Sequence, residues 1–253
     1  MHNKKNLILE IQDLSLAFPK TLYQSTSLRD SFINVLSGKR ILDNDQHVVL
    51  NKLNLNIWSG DRVGILAKNG TGKSTLCRCI SGYYKPRDGI IKRYGLIRAL
   101  FESSLAFYPE LSGRENMKIL AEIFYDYKTD NLQEIIEESI IFSELNESID
   151  APLKTYSKGM QLRLSLSLLS ALSTDLLILD EVFDGADEFF RKKLATRVRN
   201  LIDSSSSVIL VSHQESQIME ICNRVLVMKD GQFIFDGDPL TAFEVYRSGE
   251  TGF

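Results

Sequence analysis

The chain has 253 residues, of which 43% are hydrophobic and 25% are charged, as is usual for a globular protein. Its formal net charge of −3 excludes a global basic field that would attract nucleic acid or anionic lipid. No apolar run reaches the ~18 residues that a membrane span needs, and the N-terminal apolar stretch is too short for a signal peptide, so we expect a cytosolic protein. The three cysteines, Cys77, Cys79 and Cys222, have neither the number nor the spacing of a disulfide framework or a zinc site.

The first part of the chain predicts strands on both sides of a glycine-rich loop. Strands are predicted over residues 7–18, 48–58, 62–66 and 90–101, and a helix is predicted over residues 74–84. Residues 19–46 are polar and irregular. Within them Leu28, Phe32, Val35 and Leu36 share one helical face, which packs on the protein's own core or lies at a membrane surface beside a partner.

From about Pro109 the pattern is helical, and strands return later. Helices are predicted over residues 113–127, 131–145, 158–172, 187–203 and 239–247, with short apolar strands over 175–183 and 207–213 and a hairpin over 224–237. Because strands and helices alternate at both ends, we expect an α/β core with a parallel sheet. A helical subdomain of about residues 104–172 is inserted into this single domain of residues 1–253.

Residues 66–75, LAKNGTGKST, follow the phosphate-loop pattern G-x-x-x-x-G-K-[ST], with Ala67 in place of the first glycine. In such a loop, backbone N–H groups and the next helix N-terminus hold phosphates. Lys73 would reach the β- and γ-phosphates, and Ser74 would bind Mg²⁺. The predicted ATP-binding residues are Ala67, Lys68, Asn69, Gly70, Thr71, Gly72, Lys73, Ser74 and Thr75.

The alternative is a glycine-rich turn that binds no nucleotide, but the strand before the loop and the helix after it favour a nucleotide site. A positive φ at Ala67 would cost about 1–2 kcal/mol. We expect a negative φ there, so that ATP still binds.

Acidic residues close a predicted buried strand in LLILDEVF. Asp180 is placed to hold Mg²⁺ and Glu181 to polarise an attacking water. On its own such a pair is more often a solvated strand end, and His213, at the end of another strand, would alone more often be structural. The phosphate loop upstream favours the catalytic interpretation.

Four motifs in this order resemble those of the nucleotide-binding subunits of ATP-binding-cassette (ABC) transporters. AKNGTGKST matches the first nucleotide motif and LLILDE the second. YSKGM, residues 156–160, stands where the signature L-S-G-G-Q stands, and His213 matches the switch histidine. Asp187 matches the acid of the D-loop. The resemblance covers essentially the whole chain. It implies the ABC ATPase fold, a P-loop NTPase core with a mostly parallel sheet, an antiparallel β subdomain and an inserted α-helical subdomain.

The resemblance also implies how the site works. Two copies would form a head-to-tail homodimer, with each ATP between the phosphate loop of one copy and the signature residues Ser157, Lys158, Gly159 and Met160 of the other. Glu181 would be the catalytic base, and His213 would contact the γ-phosphate. Phe18, or alternatively Tyr23, would stack on adenine. Lys158 replaces a small signature residue, and it either binds phosphate or points to solvent.

Smaller features resemble the branch of this family that exports polysaccharides. FYPELSGRENM, residues 107–117, is close to the P-E-L-T-G-R-E-N stretch of that branch, and YSKGM is close to its Y-S-S-G-M signature. This implies the ATPase subunit of an O-antigen, capsule or teichoic-acid exporter, at the cytoplasmic face of the inner membrane. A polytopic permease would make most contacts with the polysaccharide. We expect no nucleic-acid partner and no C-terminal carbohydrate-binding domain.

One departure concerns the metal. Ungapped counting puts Ser103, with Glu102 beside it, where the family has a glutamine that senses Mg²⁺, and Glu102 is the proposed metal ligand together with Ser74 and Asp180.

Rival functions are an ABC ATPase for another substrate class (a small-solute importer or a drug exporter), a non-transport soluble ABC ATPase and a phosphate-loop kinase. A kinase would not need the signature YSKGM.

Overall fold

The computed structural model describes residues 6–19, 46–101, 108–124, 131–171, 174–181, 188–204, 207–212 and 214–251. In chain order the strands are β1 (Leu7–Pro19), β2 (Gln46–Trp58), β3 (Arg62–Leu66), β4 (Asp88–Arg93), β5 (Ile97–Phe101), β6 (Leu176–Asp180), β7 (Ser207–Val211), β8 (Arg224–Lys229) and β9 (Gln232–Gly237). The α-helices are α1 (Lys73–Ile80), α2 (Gly113–Phe124), α3 (Leu132–Ser143), α4 (Lys158–Leu169), α5 (Glu188–Ser204), α6 (Glu215–Ile221) and α7 (Pro239–Thr251). The chain divides into two compact units, residues 1–95 with 214–253, and residues 96–213.

The first unit contains an antiparallel sheet in the order β2-β1-β4 and the phosphate-loop strand β3. β3 pairs in parallel with β8, which pairs antiparallel with β9. The β8–β9 turn has positive φ at Asp230 (48°) and Gly231 (74°), as a two-residue type I′ hairpin requires. The predicted hairpin is therefore confirmed.

A charged cluster fastens the β2–β3 turn to this hairpin within the first unit. Arg224 donates to the buried carboxylate of Asp61 at 3.2 Å and makes a two-point contact with Asp236 at 2.6 and 2.5 Å. Asp61 in turn accepts from the backbone N–H of Trp58 at 3.1 Å. These contacts hold the start of β3 against the β8–β9 hairpin.

The second unit contains the parallel strands β5, β6 and β7 in that order. Every residue of β6 and β7 is buried, which explains why both sequences are continuous apolar runs rather than alternating ones. Helices α2, α3 and α4 enclose a separate apolar cluster, formed by Met117, Leu120, Ala121, Ile136, Ile140, Leu145, Ile149, Leu153, Tyr156, Leu164 and Leu168.

Several predicted boundaries are wrong. Residues 90–101 are two strands rather than one. The N–H of Tyr94 donates to Ile8 in the first unit, whereas Leu96 exchanges hydrogen bonds with Asp175 in the second. Helix α1 ends at Ile80 because Gly82 takes a φ of 86°. The sequence patterns did not predict α6, whose seven residues are too few for a helical period to stand out.

The described helices include none that is both long and apolar enough to cross a membrane. The predicted apolar face of Leu28, Phe32, Val35 and Leu36 lies outside the described residues.

Candidate functional site

The phosphate loop connects β3 to α1 in the first unit. Gly70 and Gly72 have φ angles of 80° and 102°, a region that L side chains rarely adopt. A Cβ atom built on Gly72 would lie 2.9 Å from Cγ1 of Val49 and 3.1 Å from its carbonyl oxygen. At Gly70 no atom lies within 4 Å of such a Cβ. Gly72 is therefore required by both backbone conformation and packing, and Gly70 by conformation alone.

Ala67 does not need the glycine that the pattern asks for. Among the described residues other than glycine, positive φ angles occur at Asp13, Lys52, Glu144, Glu181 and Asp230, and Ala67 is not one of them. Its side chain is buried at 5% exposure. The predicted negative φ is confirmed, and the alanine at the first pattern position places no strain on the loop.

The loop folds around its own lysine. Lys73 is buried at 7% exposure, and its Nζ atom donates to the carbonyl oxygens of Ala67 at 2.9 Å and Lys68 at 3.2 Å. The hydroxyl of Thr71 also donates to the Lys68 carbonyl. A cation thus lies inside the loop, which is the arrangement needed to attract a phosphate anion.

Other features of the loop also suit an anion. The fully described first turn of α1 carries no acidic side chain that would oppose the positive end of the helix dipole. The loop crest, Lys68 to Gly70, is exposed, and Ser74 and Thr75 are half-buried at the helix start. The arrangement can therefore bind phosphates from solvent and present hydroxyl oxygens beside them.

The acidic pair lies at the carboxyl end of β6 in the second unit. Asp180 is buried at 6% exposure and makes polar interactions there. Glu181 is half-buried, its N–H donates to the Val211 carbonyl at 3.2 Å, and its φ is 52°. Glutamate rarely adopts this conformation, and residues held in it cluster at functional sites because the surrounding structure must offset a cost of order 1–3 kcal/mol. The Glu181 N–H extends the hydrogen bonding between β6 and β7 by one residue beyond β6.

Ser157 begins the signature helix α4. Its hydroxyl accepts from the N–H of Met160 at 3.2 Å, so it is the helix N-cap. Ser157 and Lys158 are exposed, whereas Met160 packs against the apolar cluster of the helices. A Cβ on Gly159 would meet only the Ser157 hydroxyl, at 3.8 Å. The exposed part of the signature is thus a helix N-terminus that is open to an anion.

Phe18 lies at the end of β1 and packs edge-to-face on Tyr84, with ring centroids 5.6 Å apart. Phe18 was proposed for adenine stacking from the family resemblance alone. Its partner Tyr84 was not singled out, and it lies in residues 81–84, which were predicted to be helical. Tyr23, Glu102, Ser103, Asp187 and His213 all lie outside the described residues, and their predicted roles stay predictions.

No group of three or more His, Cys, Asp or Glu side chains suited to a metal ion occurs within the described ranges. The hydroxyl of Ser74 and the carboxylate of Asp180 are hard oxygen donors of the kind that Mg²⁺ prefers. Mg²⁺ commonly takes only one or two protein ligands, with phosphate oxygens and water completing its shell. Each of these two side chains is therefore, taken by itself, chemically suited to Mg²⁺.

Comparisons with known proteins agree with these motifs. A family model described as "ABC transporter" matches residues 50–184. An O-antigen export system ATP-binding protein of Yersinia enterocolitica is 33% identical over 228 residues, which are 88% of this chain and 95% of that protein. An O-antigen export system ATP-binding protein of Myxococcus xanthus is 32% identical over 94% of this chain, and the match spans only 55% of that longer relative. A solved structure of an ATP-binding subunit of an ABC transporter has a TM-score of 0.71 at 19% identity, and covers 97% of this chain and 100% of its own. The last comparison confirms the predicted fold class.

Proposed function

The chain belongs to the ABC transporter family, and we propose that it is the ATP-hydrolysing subunit of a polysaccharide exporter. It would power the export of a lipid-linked polysaccharide (O-antigen, capsule or teichoic acid) across the cytoplasmic membrane through a separate permease subunit. The names of the two O-antigen relatives support this substrate class. We place the protein at the cytoplasmic face of the membrane, attached through the permease.

The geometry of the phosphate loop supports ATP binding most directly. It combines two glycines in left-handed conformation, a buried lysine at its centre and a helix N-terminus directly behind it. A turn without a nucleotide has no need to bury an ammonium group among backbone carbonyls, since a buried charge is costly unless it is paired.

The other site residues complete the proposed reaction. Glu181 takes a proton from the attacking water as general base, and His213 contacts the γ-phosphate. Ser74, Asp180 and Glu102 would hold Mg²⁺, which would supply positive charge to the phosphate oxygens. Phe18 stacks on the adenine, and Asp187 belongs to the interface between two copies.

Two copies of the chain would form the active dimer. We place each ATP between the phosphate loop of one copy and the α4 N-terminus of the other, with Ser157, Lys158, Gly159 and Met160 as the contributing segment. ATP then acts by stabilising the closed dimer over the open one, and a difference of ~1.4 kcal/mol per site changes the populations tenfold. Closure is passed to the permease through the helices of the second unit.

Co-purification tests this function. The full chain with an affinity tag should retain a polytopic membrane subunit encoded beside it, and the complex should hydrolyse ATP faster than the chain alone. Cells lacking the chain should accumulate the unexported polysaccharide on the cytoplasmic side of the membrane. ATPase activity without any membrane partner would favour a soluble ABC ATPase, and phosphate transfer to an acceptor other than water would favour a kinase.

A further inference from the structure

Two stretches of the second unit lie side by side before the signature helix. The entry loop, residues 108–112, leads into α2. The pre-signature segment, residues 148–156, ends immediately before Ser157. Both carry polar contacts that the proposed ATPase reaction does not use. The entry loop lies within FYPELSGRENM, residues 107–117, which resembles the exporter branch.

Asn116 organises the entry loop from within. Its side chain is 1% exposed. The amide nitrogen donates to three carbonyl oxygens, those of Tyr108 at 3.0 Å, Leu111 at 3.2 Å and Ser112 at 2.9 Å. The amide oxygen accepts from the N–H of Tyr108 at 2.7 Å. One buried side chain thus ties both ends of the loop together.

The loop in this shape pairs with the pre-signature segment. The N–H of Leu153 donates to the Leu111 carbonyl at 2.8 Å, and the N–H of Lys154 donates to the Pro109 carbonyl at 2.9 Å. The Lys154 ammonium also contacts the Glu110 carboxylate at 2.6 Å. The Leu111 carbonyl oxygen therefore accepts from Asn116 on one side and from the pre-signature segment on the other.

Further hydrogen bonds hold the segment between this pairing and the signature. The N–H of Tyr156 donates to the Leu153 carbonyl at 2.9 Å, and the Tyr156 hydroxyl donates to the Ser148 carbonyl at 2.6 Å. Tyr156 is buried in the apolar cluster of the helices. The next residue is Ser157, the N-cap of α4. The pairing of Lys154 with the entry loop is therefore only three residues from the α4 N-terminus.

We propose that Asn116 is a positioning residue for ATP hydrolysis: it holds the entry loop in the shape that pairs with the pre-signature segment and so fixes where Ser157 lies. The inference rests on the proposed function, because it gives Ser157 a role in the reaction. Asn116 itself touches neither ATP nor water in this scheme. It acts through two backbone hydrogen bonds and one buried tyrosine.

Asn116→Ala in the full chain tests the inference, with Glu115→Ala as a matched control. Glu115 lies in the same turn of α2, but its carboxylate accepts from the N–H and hydroxyl of Ser112 as a capping box, both at 2.8 Å. The control therefore loosens only Ser112, the last residue of the entry loop, and leaves the contacts of Asn116 with Tyr108 and Leu111 in place. We expect amide hydrogen exchange at Leu153 and Lys154 to be at least tenfold faster in Asn116→Ala and within threefold of the unaltered protein in Glu115→Ala.

Kinetics separate positioning from folding. In Asn116→Ala we expect kcat for ATP hydrolysis to fall at least tenfold, while the dissociation constant for ATP on the isolated chain changes less than twofold, because the phosphate loop belongs to the other unit. Equal losses of kcat in both variants, or a parallel loss of ATP binding, would overturn the inference. No hydrolysis by the unaltered protein would instead count against the proposed function.

A cross-link provides a rescue that does not depend on Asn116. Glu110→Cys and Lys154→Cys, introduced together into Asn116→Ala and joined by a short dithiol-reactive linker, should restore kcat to within threefold of the unaltered protein. The native Cys77, Cys79 and Cys222 are all buried and should not compete. A linked protein with restored exchange protection but unrestored kcat would refute the positioning role.

Discussion

The ammonium group of Lys73 donates a hydrogen bond to the carbonyl oxygen of Ala67 at 2.9 Å, across the width of the phosphate loop. The residue that departs from the loop pattern is thus a direct partner of the residue that defines it. The contact uses only the backbone of Ala67, so the side chain at this position is free to be a methyl group. In this arrangement the lysine holds the loop closed on its own carbonyls. Under the proposed function, phosphate oxygens of ATP would replace these carbonyls as its partners.

Lys73→Ala should weaken ATP binding by about ten- to hundredfold, since hydrogen bonds to charged groups contribute about 1.5–3 kcal/mol. Calorimetric titration of ATP into the purified chain measures this. Lys85→Ala, which removes an exposed lysine elsewhere in the same unit, is the matched control and should bind ATP like the unaltered protein. Equal affinity for ATP in both variants would show that Lys73 does not contribute to ATP binding.

Gly72→Ala and Gly70→Ala should differ in stability even without nucleotide. Both force alanine into left-handed backbone, at about 1–2 kcal/mol, but only the Cβ at position 72 meets Val49, at 2.9 Å. Gly72→Ala should therefore lower the free energy of unfolding by at least 1 kcal/mol more than Gly70→Ala, because overpacking adds about 1–3 kcal/mol. Urea denaturation of both variants measures the difference. Equal losses in the free energy of unfolding would show that the Val49 side chain moves aside without cost.

Much of this site was predictable because its signals are local. The strand, the loop and the helix of residues 62–80 each follow from a short pattern, and the hairpin turn follows from Asp230-Gly231. The acids at the end of β6 were predictable because a fully buried parallel strand is a continuous apolar run. Each of these predictions needs only neighbours in sequence, since the backbone conformation is decided there.

The rest depends on contacts between distant residues. The break between β4 and β5 arises because Tyr94 bonds to Ile8 while Leu96 bonds to Asp175. The buried network of Asn116 forms only once the entry loop folds back over it. The start of α2 was predicted correctly at residue 113, and the capping-box signal Ser112-x-x-Glu115 in the sequence agrees with it. The φ of 52° at Glu181 has no sequence signal, because glutamate is not a residue that favours it.

Glu181→Gln should reduce ATP hydrolysis by about 10²–10⁴-fold, the usual contribution of a general base, and should leave ATP binding intact. Glutamine has nearly the same size as glutamate, and the substitution leaves the backbone hydrogen bond from residue 181 to Val211 in place. The free energy of unfolding should therefore change little. Single-turnover hydrolysis and ATP titration on the same preparation measure both quantities. A chain that hydrolyses ATP at the original rate would exclude Glu181 as the base.

Burial protects the thiols of this chain at neutral pH. Desolvation raises the pKa of Cys79 to about 11 and that of Cys222 to about 12, from an ordinary value of 9.0. We therefore expect no alkylation of the native protein by iodoacetamide at pH 8, and complete alkylation after denaturation.

Because the folded state favours the neutral thiols of Cys79 and Cys222, their contribution to stability is complete below pH 9 and is lost as the pH rises towards 11 and 12. Denaturation midpoints from pH 8 to 11 should fall accordingly, and midpoints that rise would contradict the assigned burial.

Two substitutions of Ser157 separate its role as helix cap from its proposed role at the phosphate. Ser157→Ala removes the hydroxyl that accepts from Met160 and should cost about 1 kcal/mol of stability, whereas Ser157→Asp keeps an equally good N-cap. If Ser157 faces the γ-phosphate of ATP bound to a second copy, the added carboxylate repels that phosphate. Ser157→Asp should then be more stable than Ser157→Ala but less active. Light scattering should show that Ser157→Asp no longer dimerises when ATP is added. If Ser157 serves only as a helix cap, we expect the opposite order of activity, with Ser157→Asp close to the unaltered protein. That result would show that the signature helix does not contact ATP.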